Sequence, residues 1–151
     1  MTTSPIGISR FERLFRLAAE LDVDKEDLRR HDEFVNRKIH DLLLRAQANA
    51  KANERDVMQP SDLPITKGLQ ERIHEFRQLD RETEIRPILD QITAVPPLDM
   101  AYGDELEALL PEVAGGLSVA LAHSFKVIDP KLKNPQTPHW DRAFALFDLL
   151  V

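Results

Sequence analysis

The sequence lacks cysteine entirely, and tryptophan and tyrosine each occur once among its 151 residues. Without cysteine the chain can form no disulfide and offers no thiolate as a nucleophile or metal ligand. No apolar run approaches the roughly 20 residues that a membrane-spanning helix needs. The opening residues, MTTSPIGISRFERLF, show neither the apolar region nor the cleavage-like site of an export signal. We therefore expect a cytoplasmic protein that does not enter a membrane.

Glycine and proline are also missing from one long stretch, the 46 residues from Ile8 to Asn53. Apolar residues at helical spacing predict a short helix around Phe11–Ala18 and one long helix from about Asp24 to Asn53. At 1.5 Å per residue the long helix would measure ~45 Å. An extended link at Asp56–Met58 follows, and a proline then opens a third helix. That helix has the apolar stripe Ile65, Leu69, Ile73 and Phe76.

The second half repeats this order of elements. Pro138 comes 78 residues after Pro60, and the first apolar stripe recurs after 74 residues as Ile85, Ile88, Leu89 and Ile92. The distance between corresponding residues of the two repeats thus increases from 74 to 78 along the chain. We assign this increase to a longer loop, VPPLDMAYGD, that begins at Val95. A last apolar stripe consists of Trp140, Phe144 and Phe147.

The second long segment, Asp104–Asp129, is less regular than the first. Pro111 predicts a kink or a restart of its helix, because proline lacks the amide hydrogen that the helix interior uses. Gly115 and Gly116 weaken the helix and admit two interpretations. One is a close approach of the two long helices, and the other is a plain irregularity near the proline.

Short, long and short helices, with an extended triplet before the third, resemble the histone fold. The chain from about Ile8 to Leu150 is similar to small bacterial proteins that carry two histone folds in one polypeptide. The segment RDVMQPSD is the most specific likeness, because histones commonly place an arginine before the loop strand and an aspartate seven residues later. Here these residues are Arg55 and Asp62, and the resemblance implies that they form a structural clamp. The comparable residues of the second half are Lys133 and Trp140.

The resemblance implies an all-α fold with two tandem histone folds, about residues 8–80 and 83–151, paired as an intramolecular handshake pseudo-dimer. One three-helix repeat cannot bury its own apolar stripe. Joining both repeats in one chain gives their pairing a high effective concentration. Residues 1–151 should then form a single compact domain.

Three arginines on the first helix are the candidates for contact with DNA. Arg13 lies about where archaeal-type histones, which this chain resembles, have a DNA-contacting arginine, and Arg10 and Arg16 extend the strip. The alternative is a solvated face whose arginines pair with glutamates at helical spacing, Glu12 and Glu20. The loops depart from the family pattern, with acidic or neutral residues where cations are usual: Asp22, Asp56, Val57 and Gln59.

The net charge is −6, and it lies in the second half of the chain. Residues 1–78 carry 14 basic and 14 acidic side chains, whereas residues 79–151 carry 6 and 12. This balance disfavours DNA as the partner. We expect a non-enzymatic protein that acts by macromolecular association, as a protein-interaction or scaffold module that could also self-associate. The alternative is a nucleoid-associated DNA-binding protein that uses Arg10, Arg13 and Arg16.

The residue types needed for catalysis show no recognisable spacing. The five histidines are scattered, and we expect the side chains of His31, Asp32 and Glu33 to point in different directions around their helix. No Ser/His/Asp arrangement can be argued. We expect His123 to be a buried core histidine and Trp140 to anchor the last helix. The sequence predicts no catalytic, cofactor-binding or metal-binding residue.

Overall fold

Six α-helices make up most of residues 5–93 and 98–151, the part of the chain that the computed structural model describes. The elements in chain order are α1 (Pro5–Ala19), α2 (Lys25–Ala52), β1 (Val57–Met58), α3 (Lys67–Thr83), α4 (Arg86–Ile92), β2 (Ala101–Tyr102), α5 (Asp104–Ile128) and α6 (Thr137–Leu150), with a 3₁₀ turn at Pro60–Asp62. The predicted all-α class is confirmed. Residues 94–97, where part of the lengthened loop was expected, and the opening residues 1–4 lie outside the described residues.

The helix α2 spans 28 residues and begins with a capping box. The Asp24 carboxylate accepts the backbone N–H of Asp27, and the Asp27 carboxylate accepts the backbone N–H of Asp24, both at 3.0 Å. These two bonds satisfy amide groups that have no partner inside the helix. Its core-facing side has the spacing of an amphipathic helix and buries Leu28, Phe34, Val35, Ile39, Leu42, Leu43, Ala46 and Ala50.

The helix α5 runs through Pro111 as one helix, so the predicted restart was wrong. The physical reason is packing on both sides of the proline. Leu110 before it and Val113 after it are buried, and a break would take this apolar surface out of the core. By length and composition α5 could also cross a membrane, but 67% of its most apolar window is buried inside the protein, as in a core helix.

Gly115 and Gly116 lie where α5 packs against α3. A Cβ atom at Gly115 would overlap the ring of Phe76, and one at Gly116 would overlap the side chain of Ile73 and lie 3.0 Å from its backbone nitrogen. The close-approach interpretation therefore holds, but its partner was misassigned. The glycines accommodate the third helix, not the other long helix.

Two loop contacts join the halves at opposite ends of α2. At its C-terminal end, β1 and β2 pair in parallel, with Val57 opposite Ala101 and Met58 opposite Tyr102. At its N-terminal end, the backbone N–H of Asp22 donates to the Lys133 carbonyl at 2.6 Å. Helices from both halves contribute side chains to one contiguous apolar core.

Candidate interaction surfaces

The three arginines predicted to contact DNA lie on α1, and each faces an acidic residue. Arg10 donates to the Glu84 carbonyl at 3.0 Å, and its guanidinium is 3.6 Å from the Glu84 carboxylate. Arg13 is 3.9 Å from Glu82, and Arg16 is 3.8 Å from Asp22. The acids differ from the expected Glu12 and Glu20, because the end of α3 and the α1–α2 loop pack beside α1. The basic strip is therefore largely neutralised within the chain.

Arg55 and Asp62 meet across the loop that contains β1. The guanidinium makes two parallel bonds to the carboxylate, at 2.5 and 2.6 Å, and Asp62 also accepts the backbone N–H of Gln59 at 2.8 Å. Asp62 is only 2% exposed. The bond from Arg55 holds the pKa of Asp62 below its ordinary value. This geometry fixes the loop between α2 and α3 from both sides.

Trp140, at the comparable position of the second half, has a different partner. It is buried, and its indole N–H donates to the Asp27 carboxylate at 2.8 Å. Lys133 is exposed and contributes its backbone carbonyl to the contact with Asp22. The second half therefore replaces a local clamp by a bond from α6 to the first turn of α2. Burial raises the pKa of Asp27, although the bonds from the Asp24 backbone N–H and the Trp140 indole oppose this effect.

A buried polar chain, which the sequence did not reveal, links α2 to α5. His31 Nε2 is 2.7 Å from Ser118 Oγ, and His31 Nδ1 is 3.0 Å from Asp32 Oδ1. The prediction that His31 and Asp32 point apart was wrong, and the contacts bring together a Ser/His/Asp arrangement that could not be argued from the sequence. Neither His31 nor Ser118 has any exposed surface. A substrate therefore cannot reach the serine, and these hydrogen-bonded side chains join α2 to α5.

His123 is not the buried core residue that the sequence predicted. Its side chain is 39% exposed, and Nε2 lies 2.7 Å from Glu75 Oε2 on α3. His123 therefore lies at the edge of the α3–α5 contact, where its side chain is partly accessible to solvent. Within residues 5–93 and 98–151, no three His, Asp or Glu side chains converge in a way that could hold a metal ion.

The helix α6 is anchored against α2 and leaves some of its own apolar side chains uncovered. Phe34 of α2 stacks on Phe144 and meets Phe147 edge-on, with ring centroids 5.3 and 4.9 Å apart. The buried Lys38 of α2 bonds Asp148 at 2.6 Å. Apart from these anchored residues, three leucines at helical spacing on α6 are exposed: Leu146, Leu149 and Leu150.

A cleft of about 290 Å³ separates the end of α6 from α2 and the start of α3. Its walls are mainly apolar, and two residues of opposite charge, Asp41 and Arg45, lie on its α2 side. The apolar walls include Leu42, Pro64, Leu69 and Leu150. Exposed apolar surface beside charged residues is typical of a site that another molecule covers.

Comparison with known proteins places these features in a family. A family described as a domain of unknown function, DUF1931, matches residues 11–148. Two proteins of Aquifex aeolicus (strain VF5), both described as uncharacterized, are each 28% identical to the chain. One match covers 81% of this chain and 71% of the relative, and the other covers 83% and 80%.

Two crystal structures are similar to the chain over almost its whole length. A protein from Thermus thermophilus is 52% identical, with a TM-score of 0.85, and the match covers 95% of this chain and 97% of that one. An Aquifex aeolicus protein is 24% identical, with a TM-score of 0.86 and coverage of 100% and 99%. At that identity the second likeness shows the fold alone.

Proposed function

Because the chain belongs to the DUF1931 family, whose description names no activity, we propose a function from its own residues. The chain is a tandem histone-fold pseudo-dimer that acts without catalysis, by associating with another protein. The exposed leucines of α6 carry this proposal.

Contacts between the halves support the pseudo-dimer. The loop after α2 pairs with the loop before α5 through β1 and β2, and the loop before α2 contacts the loop after α5 through Asp22 and Lys133. Each half therefore offers one loop from each end of its long helix to the other half. The glycine pair of α5 receives α3, a helix of the other half. This exchange is what two repeats with incomplete cores require in order to bury their apolar stripes.

The uncovered leucines support association with a protein. Leu149 and Leu150 are 81% and 76% exposed, and Leu146 extends the patch by one helical turn. Single exposed leucines are ordinary, but neighbours on one helix face form a continuous apolar patch. The apolar cleft beside α2 enlarges this patch. Covering it with the apolar side chains of a partner would remove that surface from water.

The buried position of Ser118 and His31 supports a non-enzymatic role. A serine nucleophile must touch its substrate, and the hydrogen-bonded chain from Asp32 through His31 to Ser118 ends inside the core. The same bonds have a structural use, because they join α2 to α5.

An affinity capture from the native cell, with a tag before residue 1, tests the proposal. We expect the wild-type chain to retain a protein that the double variant Leu149→Asp/Leu150→Asp does not retain. Val127→Asp is the matched control, because Val127 is 79% exposed and belongs to α5, not to the α6 patch. Equal retention by all three chains, or no specific retention by the wild type, would contradict the proposal.

DNA binding through Arg10, Arg13 and Arg16 is the second candidate function. Arg13 and Arg16 are 56% and 61% exposed, and their contacts of 3.9 and 3.8 Å are loose enough for phosphate to displace the acids. Fluorescence anisotropy with duplex DNA tests it at low salt and at about 150 mM salt. Micromolar or tighter binding that weakens when the three arginines become alanine would favour DNA. An absence of binding even at low salt would remove this candidate.

A further inference from the structure

The α2 side of the cleft carries two opposite charges with little internal compensation. Asp41 and Arg45 are four residues apart on α2, which places them about one helical turn, or ~6 Å, apart along the helix. Among the described residues, the Asp41 carboxylate has one cationic neighbour, Lys38 at 3.7 Å, and that ammonium group already bonds Asp148 at 2.6 Å. Arg45 is exposed, and its guanidinium has neither a hydrogen bond nor an ion pair within the described residues.

The surface around this pair is apolar and uncovered. Leu44, which lies between the two charged residues in sequence, is 45% exposed. Leu150 of α6 lines the same cleft and is 76% exposed. An ion pair formed beside this apolar surface would be shielded from water and therefore stronger than one on an open surface. The occupant of the cleft should present apolar side chains together with both a cation and an anion at matching spacing.

A second copy of this chain meets that requirement. In a twofold interface, if residue i of one copy contacts residue j of the other, then j contacts i as well. When two α2 helices pack antiparallel about an axis near residue 43, Asp41 of each copy lies opposite Arg45 of the other. One twofold contact then forms two identical ion pairs, with Leu44 of each copy near the axis.

We infer that two copies of the chain associate through the α2–α6 cleft, with Asp41 of each copy paired to Arg45 of the other. This inference rests on the proposed role in protein association and names a second copy as the partner. The two ion pairs set the register of the interface, and the leucines supply the apolar area that is removed from water.

Sedimentation equilibrium of the full chain at physiological ionic strength tests the inference. We expect a reversible dimer of twice the 17.3 kDa chain mass. Asp41→Arg and Arg45→Asp should each weaken the dimer at least tenfold, because each places like charges opposite one another. The double variant Asp41→Arg/Arg45→Asp should regain dimerisation, since the reversed charges are again complementary.

Mixing the two single variants gives the most specific test of the inference. The Asp41→Arg chain presents two cations and the Arg45→Asp chain presents two anions, so the mixture should form a heterodimer although neither variant dimerises alone. The heterodimer requires both variants to be folded, which circular dichroism checks independently. Gln78→Arg, on the exposed side of α3, serves as a charge control that leaves the dimer unchanged.

Three results would overturn the inference. The first is a wild-type chain that stays monomeric up to about 1 mM, a concentration at which even weak complexes are populated. The second is a dimer that neither single charge reversal weakens. The third is a mixture of the two single variants that stays monomeric. The proposed function would survive any of them if the capture of another protein still depends on Leu149 and Leu150. A chain that dimerises as expected but captures no other protein would contradict the proposed function and leave this inference standing.

Discussion

His31 on α2 and Ser118 on α5 meet in the interior of the protein, with 2.7 Å between Nε2 and Oγ. The Ser118 hydroxyl is also 2.7 Å from the Ala114 carbonyl, and its single proton can satisfy only one of these two neighbours at a time. The imidazole packs against the rings of Phe11 and Phe15, with centroids 5.0 and 5.9 Å away. A polar bond in this apolar setting fixes the position of one long helix against the other.

Replacing Ser118 by alanine should lower the free energy of unfolding by about 1–3 kcal/mol, because the buried imidazole nitrogen would lose its partner. Urea denaturation measures the change. Ser124→Ala is the matched control, since among the described residues the Ser124 hydroxyl bonds only the Leu121 carbonyl of its own helix. The control should change stability by less than about 0.5 kcal/mol, as is usual for substitutions away from such features. Equal effects of the two substitutions would show that the contact with His31 contributes nothing.

Asp27 should make the protein less stable as the pH rises. Its pKa is raised from the ordinary value of 3.8, mainly by burial, so the folded state holds this proton more tightly than the unfolded state. The resulting stabilisation is fully present below pH 3.8 and is lost as the pH rises through the raised pKa. Urea unfolding of the wild type and Asp27→Asn from about pH 3 to 7 tests this. The stability of the wild type relative to the variant should fall over this range, and a constant or rising difference would contradict the assignment.

Local spacing in the sequence was enough to locate the helices and the extended link, although Pro60 opens a 3₁₀ turn and not the third helix, which begins at Lys67. The apolar stripes of α2 and α3, the proline at the start of the 3₁₀ turn, and the β-preferring residues of β1 all depend on neighbours within a few positions. Arg55 and Asp62 are seven residues apart, and a resemblance to a short motif was enough to pair them.

Contacts between distant residues could not be predicted in the same way. His31 and Ser118 are 87 residues apart, and Lys38 and Asp148 are 110 apart. Serine and lysine on a helix are usually solvated, and nothing near them in the sequence signals that another helix will bury them. The continuation of α5 through Pro111 was also unpredictable from local sequence, because tertiary packing outweighed the local preference to break the helix.

Asp62→Ala should lower the free energy of unfolding by about 1–3 kcal/mol, because the backbone N–H of Gln59 and the guanidinium of Arg55 both lose their acceptor. Asp56→Ala is the control, since Asp56 lies exposed in the same loop. Thermal or urea unfolding at neutral pH distinguishes the two variants. An unchanged melting curve for Asp62→Ala would contradict the structural role of the pair.

Acid should weaken the Arg55–Asp62 pair, so the effect of pH on stability through Asp62 is opposite in sign to its effect through Asp27. The pKa of Asp62 is lowered from 3.8, first by the bond from Arg55, so its ionised form is favoured in the folded state. This stabilisation is present above pH 3.8 and is lost as the pH falls through the lowered pKa. The advantage of the wild type over Asp62→Asn should therefore shrink below about pH 4 in urea unfolding experiments. An advantage that grows on acidification would rule out this cause.

The contact between α5 and α3 should tolerate no side chain at Gly115 or Gly116. Neither glycine has a positive φ, so the backbone accepts alanine and the outcome depends only on space. In a free helix, alanine would be favoured over glycine by about 1 kcal/mol. Here the added methyl group meets the Phe76 ring or the Ile73 backbone, whose nitrogen and Cα lie 3.0 and 3.1 Å from the Cβ position at residue 116.

We expect Gly115→Ala and Gly116→Ala each to lower the free energy of unfolding by about 1–3 kcal/mol, because moving α3 away would also separate the side chains that it buries. Gly68→Ala is the control, because it should not lower the free energy of unfolding. Gly68 lies in the first turn of α3 with nothing within 4 Å of its Cβ position, so alanine there should leave stability unchanged or raise it. Urea denaturation of the three variants gives the comparison. If the α5 variants proved as stable as Gly68→Ala, α3 would not depend on these glycines for its approach to α5.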